Sequence, residues 1–214
     1  MTDGTFSLAV LISGNGSNLQ AIIDGCADGK IDATIHCVIS NVADAFGLQR
    51  ARQAGIPTHT LAHGDYPDRS LYDAELARLL DGYGVELIVL AGFMRILGAT
   101  FINKYAHRII NLHPSLLPRH KGLDTHARVL EAGDKVHGAS VHFVTADLDS
   151  GPVITQASIP VEADDTVETL QYKIHGLEHK ILPRVVGWFA QHRVELVDGQ
   201  VLLDDGIIEQ PVSP

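Results

Sequence analysis

The sequence predicts an α/β fold with a mostly parallel, twisted sheet and helices on both of its faces. Strand-length apolar runs alternate with helical patterns through the first half of the chain, which is typical of parallel sheets. The first run, residues 7–12, ends in a glycine-containing turn that leads into a helix, the usual opening of a Rossmann-like unit. In the second half, two apolar runs follow one another without an intervening helix, which indicates antiparallel strands added to the same sheet.

The first half of the chain supplies the parallel strands. After the turn, Leu19, Ile22, Ile23 and Cys26 have the spacing of one buried helix face. The remaining elements of this half are predicted in the order strand 35–39, helix 45–54, strand 58–61, helix 71–83, strand 87–90 and helix 100–105. The run 87–90 is the most apolar of them, so we expect it in the middle of the sheet.

The second half begins with a strand that runs into Asn111. Alternating apolar residues predict further strands at 139–143 and 153–159. One long helical pattern then covers residues 166–192, with Asp165 as a possible N-cap and Pro183 expected to kink or divide it. The runs 194–197 and 201–203, joined by Asp198-Gly199, predict a terminal β-hairpin with a type I′ turn.

Composition sets the broad class of protein. The 214 residues fit a single domain, residues 1–214, with a Rossmann-like half up to about residue 106 and a second half from about residue 107. A formal net charge of −10 without a cluster of Lys and Arg argues against a nucleic-acid surface. The two cysteines, Cys26 and Cys37, fall at apolar positions, so we expect buried free thiols and a reducing compartment. The amino-terminal apolar run is too short for a signal peptide or a membrane span, which predicts a cytoplasmic protein with no membrane partner.

The turn after the first strand is a candidate phosphate site. Its sequence, Ser-Gly-Asn-Gly-Ser-Asn at residues 13–18, lacks the lysine of a Walker motif, and Leu19 occupies the third glycine position of a dinucleotide fingerprint. The backbone N–H groups of Gly16, Ser17 and Asn18 at a helix N-terminus nevertheless suit one phosphate monoester. The alternative is a tight strand-to-helix turn in which Ser17 or Asn18 is a plain N-cap.

A second candidate site lies where the strand that reaches Asn111 ends. Asn111 and His113 share one face of the strand, and Pro114 then ends the hydrogen-bonded ladder. An imidazole can move a proton near neutral pH, a carboxylate such as Asp149 would favour its charged form, and an amide can donate to an oxyanion. The set therefore suits acyl transfer to an amine without a covalent enzyme intermediate. The alternatives are side chains that merely cap a turn, and an Asp149 that is only a turn residue in Asp-Ser-Gly-Pro.

The twelve histidines raise the question of a metal site. His175 and His179 lie four residues apart on the long predicted helix and offer two possible ligands. No third ligand stands at a motif spacing, so we interpret the pair as a solvated helix face and expect no metal.

Four segments of the sequence resemble the phosphoribosylglycinamide formyltransferases, within the wider family of enzymes that use 10-formyltetrahydrofolate. The segments are residues 12–20 around the glycine turn, Leu-Ala-Gly-Phe-Met-Arg-Ile-Leu at 90–97, Asn-Leu-His-Pro-Ser-Leu-Leu-Pro at 111–118, and the stretch 142–154. The resemblance extends from Leu8 to the long C-terminal helix. It implies an enzyme of purine biosynthesis that transfers the formyl group of 10-formyltetrahydrofolate to the amine of glycinamide ribonucleotide.

The resemblance also implies roles for individual residues. Those implied at the ribonucleotide are the amides of Gly16, Ser17 and Asn18 for the phosphate, and Glu178 near the amine or the ribose. The implied catalytic set is Asn111, His113 and Asp149. Those implied at the folate are Arg69, Met94, Arg95, Ile96, Leu97 and Asn111, many of them through backbone contacts. The resemblance thus makes the first half the phosphate-binding half, and the second the catalytic and folate-binding half.

Three other functions share parts of this pattern. A 10-formyltetrahydrofolate hydrolase would use the same catalytic set with water in place of the amine, but is expected to carry an extra N-terminal domain. A methionyl-tRNA formyltransferase would need a further C-terminal domain and a basic surface. A non-catalytic phosphosugar-binding module would keep the Gly16 turn and have no use for Asn111 and His113. We expect a monomer or a homodimer that binds glycinamide ribonucleotide and folate.

Overall fold

The computed structural model describes residues 5–213, which are built around a seven-stranded sheet. Its strands are β1 (Phe6–Ile12), β2 (Ala33–Ser40), β3 (Thr58–Thr60), β4 (Leu87–Leu90), β5 (Ile109–His113), β6 (Val136–Phe143) and β7 (Val153–Pro160). They lie in the order β3-β2-β1-β4-β5-β6-β7. The pairs from β3 to β5 are parallel, and the pairs β5-β6 and β6-β7 are antiparallel. The predicted mostly parallel sheet with antiparallel additions is confirmed.

Helices cover both faces of this sheet. They are α1 (Ser17–Ala27), α2 (Phe46–Gln53), α3 (Arg69–Tyr83), α4 (Ala99–Lys104), α5 (Thr125–Ala132) and α6 (Val167–Ala190), with a short 3-10 turn at His63–Asp65. Successive side chains of a strand point to opposite faces, and β1 shows the consequence. Leu8, Val10 and Ile12 pack in one core cluster with α1, α2 and α6. Ala9 and Leu11 pack in a second cluster with α3 and α4.

The helix α6 differs from its prediction in two details. It runs through Pro183 without a break, so it is not divided there. Leu182 and Val185 beside the proline are fully buried, and this packing outweighs one missing backbone hydrogen bond. The N-cap is Thr166, not Asp165, because Thr166 forms a capping box with Thr169. Asp165 instead pairs with Lys173, about two helical turns further along.

Three short elements were not predicted from the sequence, one of them the 3-10 turn at His63–Asp65. The helix α5 is eight residues long, and the strand β10 (Gly206–Ile207) has only two residues, too few to show a periodic pattern. With β8 (Val194–Val197) and β9 (Gln200–Leu203), β10 forms a separate antiparallel sheet. Asp198 and Gly199 join β8 to β9 with φ angles of 51° and 77°, both positive as a type I′ turn requires. The predicted terminal hairpin is confirmed.

The cysteines are free thiols. Cys37 is buried, and burial raises the pKa of its thiol to about 12, so it is unreactive at neutral pH. Cys26 is half-buried, and burial raises its pKa as well. Separately, none of the helices in residues 5–213 combines the length and the apolar character needed to cross a bilayer.

The strand order places three segments at one edge of the sheet. From β1 the chain adds β2 and β3 on one side of the sheet and then crosses over to add β4 on the other side of β1. The strand order therefore reverses between β1 and β4. Leu11 of β1 lies beside Leu90 of β4, and Leu90 lies beside Asn111 of β5. Ligands of open parallel sheets bind outside the carboxyl ends of the strands at such a reversal. The segments that follow β1, β4 and β5 contain most of the predicted site residues.

Candidate active site

The turn after β1 opens toward the amino end of α1. Gly16 is the N-cap of this helix, with φ of 74° and no side-chain capping hydrogen bond, so neither Ser17 nor Asn18 is the N-cap. The first N–H groups of a helix have no intrahelical acceptor, and the helix dipole favours an anion there. The turn can therefore bind a phosphate through backbone amides.

The start of α2 fixes the conformation of this turn. A Cβ atom at Gly16 would lie 2.5 Å from the Cα atom of Gly47. The N–H of Gly47 donates to the carbonyl of Gly14 at 3.1 Å. Arg50 donates from Nε to the carbonyl of Asn15 at 2.9 Å and from its terminal nitrogen to the Asn15 side chain at 3.1 Å. Sequence analysis missed Gly47 and Arg50, because their contacts arise only when α2 packs against the turn.

Glu178 of α6 reaches the same turn. Its Oε2 atom accepts a hydrogen bond from Asn18 Nδ2 at 2.8 Å, although the two residues are 160 positions apart. The Glu178 side chain is buried, and the Oδ1 atom of Asn18 is also buried without a hydrogen-bond partner among the described residues. These groups can accept hydrogen bonds from a hydroxyl or an amine of a bound substrate.

Asn111, His113 and Asp149 lie together beyond the end of β5. His113 Nδ1 is 3.4 Å from Asp149 Oδ2, and Asn111 Nδ2 is 3.5 Å from Asp149 Oδ1. His113 Nε2 lies 3.0 Å from the carbonyl oxygen of His120. A carbonyl oxygen only accepts, so Nε2 carries a proton while Nδ1 faces a carboxylate. When Nδ1 is protonated as well, the ring can donate to both acceptors as a charge-assisted donor.

His142 is a buried neighbour of Asn111 to which the sequence analysis assigned no role. The two residues pair across β5 and β6. His142 Nδ1 donates to the carbonyl of Phe143 at 2.8 Å, and burial lowers the pKa of the ring and keeps it neutral. Its Nε2 atom is then an acceptor for Asn111 Nδ2 at 3.1 Å, which fixes the orientation of the amide. The sequence signal was a histidine at a polar position of a predicted strand.

The loop after Pro118 contacts Asp149. The N–H of Gly122 donates to Asp149 Oδ2 at 2.9 Å, and Lys121 Nζ donates to Ser150 Oγ at 2.6 Å. Asp149 has a φ of 45°, a left-handed conformation that aspartate adopts more readily than most residues. The loop and the turn together hold the carboxylate beside His113.

The segment after β4 contains most of the residues assigned to the folate. The N–H of Met94 donates to Ser13 Oγ at 2.7 Å, so the segment is tied to the turn after β1. The side chains of Met94 and Ile96 are 67% and 56% exposed, an apolar surface that suits a ligand ring. The Leu97 side chain is buried, so a ligand could contact this residue only through its backbone.

Both arginines assigned to the folate lie near the start of α3. Arg69 is the first residue of α3 and is exposed. The guanidinium of Arg95 lies over the ring of Tyr72, also on α3, at 4.1 Å from the ring centroid. Such a stacked arrangement stabilises the cation and limits where it can point.

The histidine pair of α6 does not converge on a common point. The rings of His175 and His179 stack with centroids 6.3 Å apart. Within residues 5–213, no group of three or more His, Cys, Asp or Glu side chains is arranged to hold a metal ion.

A second histidine pair makes stability depend on pH. His126 Nδ1 lies 2.8 Å from His137 Nε2, and burial lowers the pKa of His137 to about 4. In the unfolded chain this ring takes up a proton near pH 6.5, whereas in the folded protein it does so only near pH 4. The unfolded state therefore binds more protons between these two pKa values, and stability is lost as the pH falls below about 6.5.

We expect the melting temperature of the protein to be lower at pH 5 than at pH 7.5. This difference should be smaller in His137→Gln, and His36→Gln is the control that should keep it. A difference in His137→Gln as large as that in His36→Gln would contradict the assignment to His137.

Comparisons with known proteins agree with these motifs. Residues 6–186 match the family model described as Formyl transferase. The phosphoribosylglycinamide formyltransferase of Escherichia coli is 53% identical over 198 residues, which cover 92% of this chain and 93% of that protein. The solved phosphoribosylglycinamide formyltransferase from Coxiella burnetii, in complex with CHES, has a TM-score of 0.94 at 49% identity, covering 98% of this chain and 99% of that one.

A related enzyme with another printed activity also shares the fold. A formyltetrahydrofolate deformylase from Pseudomonas syringae gives a TM-score of 0.87 at 27% identity, over 94% of this chain and 66% of that one. The family model and the identity to the Escherichia coli enzyme decide the grouping. The chain belongs to the formyl transferase family, among the phosphoribosylglycinamide formyltransferases.

Proposed function

We propose that the protein transfers the formyl group of 10-formyltetrahydrofolate to the amine of glycinamide ribonucleotide, a reaction of purine biosynthesis. The observation that carries the proposal is the sheet edge formed by β1, β4 and β5. It brings the glycine turn after β1, an exposed apolar segment and the Asn111, His113 and Asp149 side chains to adjacent strand ends. Two substrates bound there would meet next to the acid–base groups.

The ribonucleotide would bind on the β1 side of this edge. The amides of Gly16, Ser17 and Asn18 would hold its phosphate, and the buried Glu178 carboxylate would accept a hydrogen bond from its ribose or its amine. The folate would bind along residues 94–97, with Arg69 nearby. Both groups of residues are joined by the hydrogen bond from Met94 to Ser13, so the two binding regions are physically connected.

The chemistry follows from the groups at the end of β5. The substrate amine attacks the formyl carbon, and the formyl oxygen takes up negative charge. Asn111 and protonated His113 would stabilise that charge by donating hydrogen bonds to the formyl oxygen, which would replace the Asp149 carboxylate as an acceptor of Asn111 and the His120 carbonyl as the acceptor of His113 Nε2. Asp149 orients His113 and, with a water molecule, moves a proton from the attacking amine to the leaving folate nitrogen. The carbon–nitrogen bond to the folate then breaks, and no covalent enzyme intermediate forms.

We propose further that the enzyme works in the cytoplasm as a monomer or a homodimer, with small metabolites rather than nucleic acid or membrane as partners. The net charge of −10 supports the part of this proposal that concerns nucleic acid.

Hydrolysis of 10-formyltetrahydrofolate is the second candidate, because the same three side chains could activate water, and because the deformylase shares the fold. An assay that follows both products separates the two reactions. Folate release would be recorded by absorbance, and formate would be measured separately, with and without glycinamide ribonucleotide. We expect folate release that requires the ribonucleotide and yields little formate. Equal folate release without it, accompanied by formate, would establish the hydrolase instead. Ligand binding without turnover would indicate the non-catalytic phosphosugar-binding module.

Replacing Glu178 by glutamine tests the ribonucleotide side of the proposal. The substitution removes the negative charge that the substrate faces but keeps the size of the side chain. We expect the KM for glycinamide ribonucleotide to rise about tenfold, as for loss of a hydrogen bond to a charged group, with the folate KM unchanged. Glu168→Gln, in the exposed first turn of the same helix, should leave both values unchanged. A folate KM that rises as much as the ribonucleotide KM would contradict this placement.

A further inference from the structure

The segment after β4 is held at both ends by side chains from other elements. At its amino end, Ser13 Oγ accepts the N–H of Met94 at 2.7 Å. At its carboxyl end, Oδ2 of Asp73 on α3 accepts the N–H of Gly98 at 2.8 Å. These hydrogen bonds bracket residues 94–97, so together they limit how far its backbone can move. Residues 94–97 are also those for which the folate contacts are proposed to run through the backbone.

The environment of Asp73 is unusual for a carboxylate. Its side chain is only 7% exposed, and its Oδ1 atom is buried without a hydrogen-bond partner among the described residues. Burial raises the pKa of Asp73, whereas the Gly98 N–H and the charges of Arg95 and Arg69 lower it. A buried acceptor without a partner destabilises a fold, so packing alone does not account for an acid at this position.

The surroundings of Asp73 point to the folate side of the site. The two cations that act on it are Arg95 and Arg69, both assigned to the folate. Its neighbour Tyr72 is fully buried and carries the guanidinium of Arg95 on its ring. The Nε atom of Arg95 is likewise buried without a partner in residues 5–213. The start of α3 thus contacts the folate segment through one ring, that of Tyr72, and one carboxylate, that of Asp73.

We propose that Asp73 is a positioning residue for the folate. Through the Gly98 N–H it fixes the carboxyl end of residues 94–97. The inference rests on the proposed function, because it takes this segment as the folate-binding one. Asp73 itself needs no contact with either substrate.

Gly98 offers an independent way to disturb the same contact. A Cβ atom at this position would lie 2.7 Å from Asp73 Oδ2 and 3.7 Å from the Cδ atom of Arg69. Its φ and ψ of −78° and 157° are ordinary for alanine. Gly98→Ala should therefore displace the carboxylate without straining the backbone.

The test compares steady-state kinetics of four variants of the full chain. Asp73→Ala removes the acceptor and the charge, Asp73→Asn keeps an acceptor oxygen, and Gly98→Ala displaces the carboxylate. Asp81→Asn is the matched control, because Asp81 lies on the same helix but pairs with Lys104 and Tyr105 of α4 and its C-cap. We expect the folate KM of Asp73→Ala to rise about ten- to a hundredfold, as for loss of a charged hydrogen-bond partner, and the other two variants to show smaller rises.

The pattern across substrates separates positioning from a general structural role. Loss of binding that is equal in the ground state and the transition state raises KM and leaves kcat nearly unchanged. We therefore expect the ribonucleotide KM and kcat to stay within about twofold in these variants, and Asp81→Asn to match the wild type on every value. Hydrogen exchange of the peptide containing Gly98 should also be faster in Asp73→Ala.

Two results would overturn the inference while leaving the proposed function intact. One is an active wild-type enzyme whose folate KM does not change in Asp73→Asn and Gly98→Ala. The other is a rise of both KM values together, or an equal effect in Asp81→Asn, which would mean a general loss of structure. A wild-type enzyme without formyl transfer would instead refute the proposed function itself.

Discussion

Replacing His113 by alanine is expected to lower kcat by about a hundred- to a thousandfold, the usual consequence of losing one donor to a developing oxyanion. The ring lies between the Asp149 carboxylate and the His120 carbonyl, with Nδ1 3.4 Å from Asp149 Oδ2 and Nε2 3.0 Å from the carbonyl oxygen. It faces acceptors through both nitrogens, so no nearby side chain can take its place without rearrangement. KM for both substrates should change much less than kcat, because the charge on the formyl oxygen appears mainly in the transition state.

The control for this variant is His63→Ala, which removes an exposed imidazole from the 3-10 turn before α3 and should leave kcat unchanged. Since His113 is buried, melting curves must show that the variant is folded, and His113→Gln provides a less disruptive replacement. If a folded His113→Ala enzyme turned over at the wild-type rate, the imidazole would have no part in the mechanism.

Replacing Gly16 by alanine is expected to raise the KM for glycinamide ribonucleotide by about a hundredfold. Left-handed backbone strain of roughly 1 to 3 kcal/mol is one cause. The other is the 2.5 Å approach of the new Cβ atom to the backbone of Gly47, which must move α2 or the turn. Either response shifts the amides that are proposed to hold the phosphate, so binding is lost even where the fold survives.

Gly14→Ala is the matched control within the same turn. Gly14 has no positive φ, and a Cβ atom there meets no other atom within 4 Å. It should therefore bind the ribonucleotide nearly as well as the wild type. The folate KM should stay close to normal in both variants. Equal loss of ribonucleotide binding in Gly14→Ala and Gly16→Ala would show that any change in the turn matters, and not the contact with Gly47.

Local sequence pattern was enough to predict the strands and the shared face of Asn111 and His113. The pleat of a strand alone places residues two apart on one side, and Asn111 and His113 both contact Asp149. What pattern could not supply was the partner of that pair. Asp149 lies in a turn between β6 and β7, and its distance from His113 depends on the antiparallel arrangement of both strands.

The residues that were missed share a physical cause. His142, Asp73 and Arg50 act on the site through pairs that form only when β6, α3 and α2 pack against other elements. Their own sequence neighbourhoods look like an ordinary strand or helix. Pro183 shows the opposite case: of the two outcomes expected there, a kink or a division, the division does not occur, because the buried face of α6 continues past the proline.

The central claim is that two substrates meet at one sheet edge beside Asn111 and His113. The most direct test is a crystal structure with glycinamide ribonucleotide and a folate analogue that cannot transfer its formyl group. The claim predicts the phosphate on the amides of residues 16–18, the folate ring against residues 94–97, and the formyl oxygen within hydrogen-bond distance of Asn111 Nδ2 and His113. A phosphate or a folate ring bound elsewhere, or a formyl group out of reach of both side chains, would contradict it.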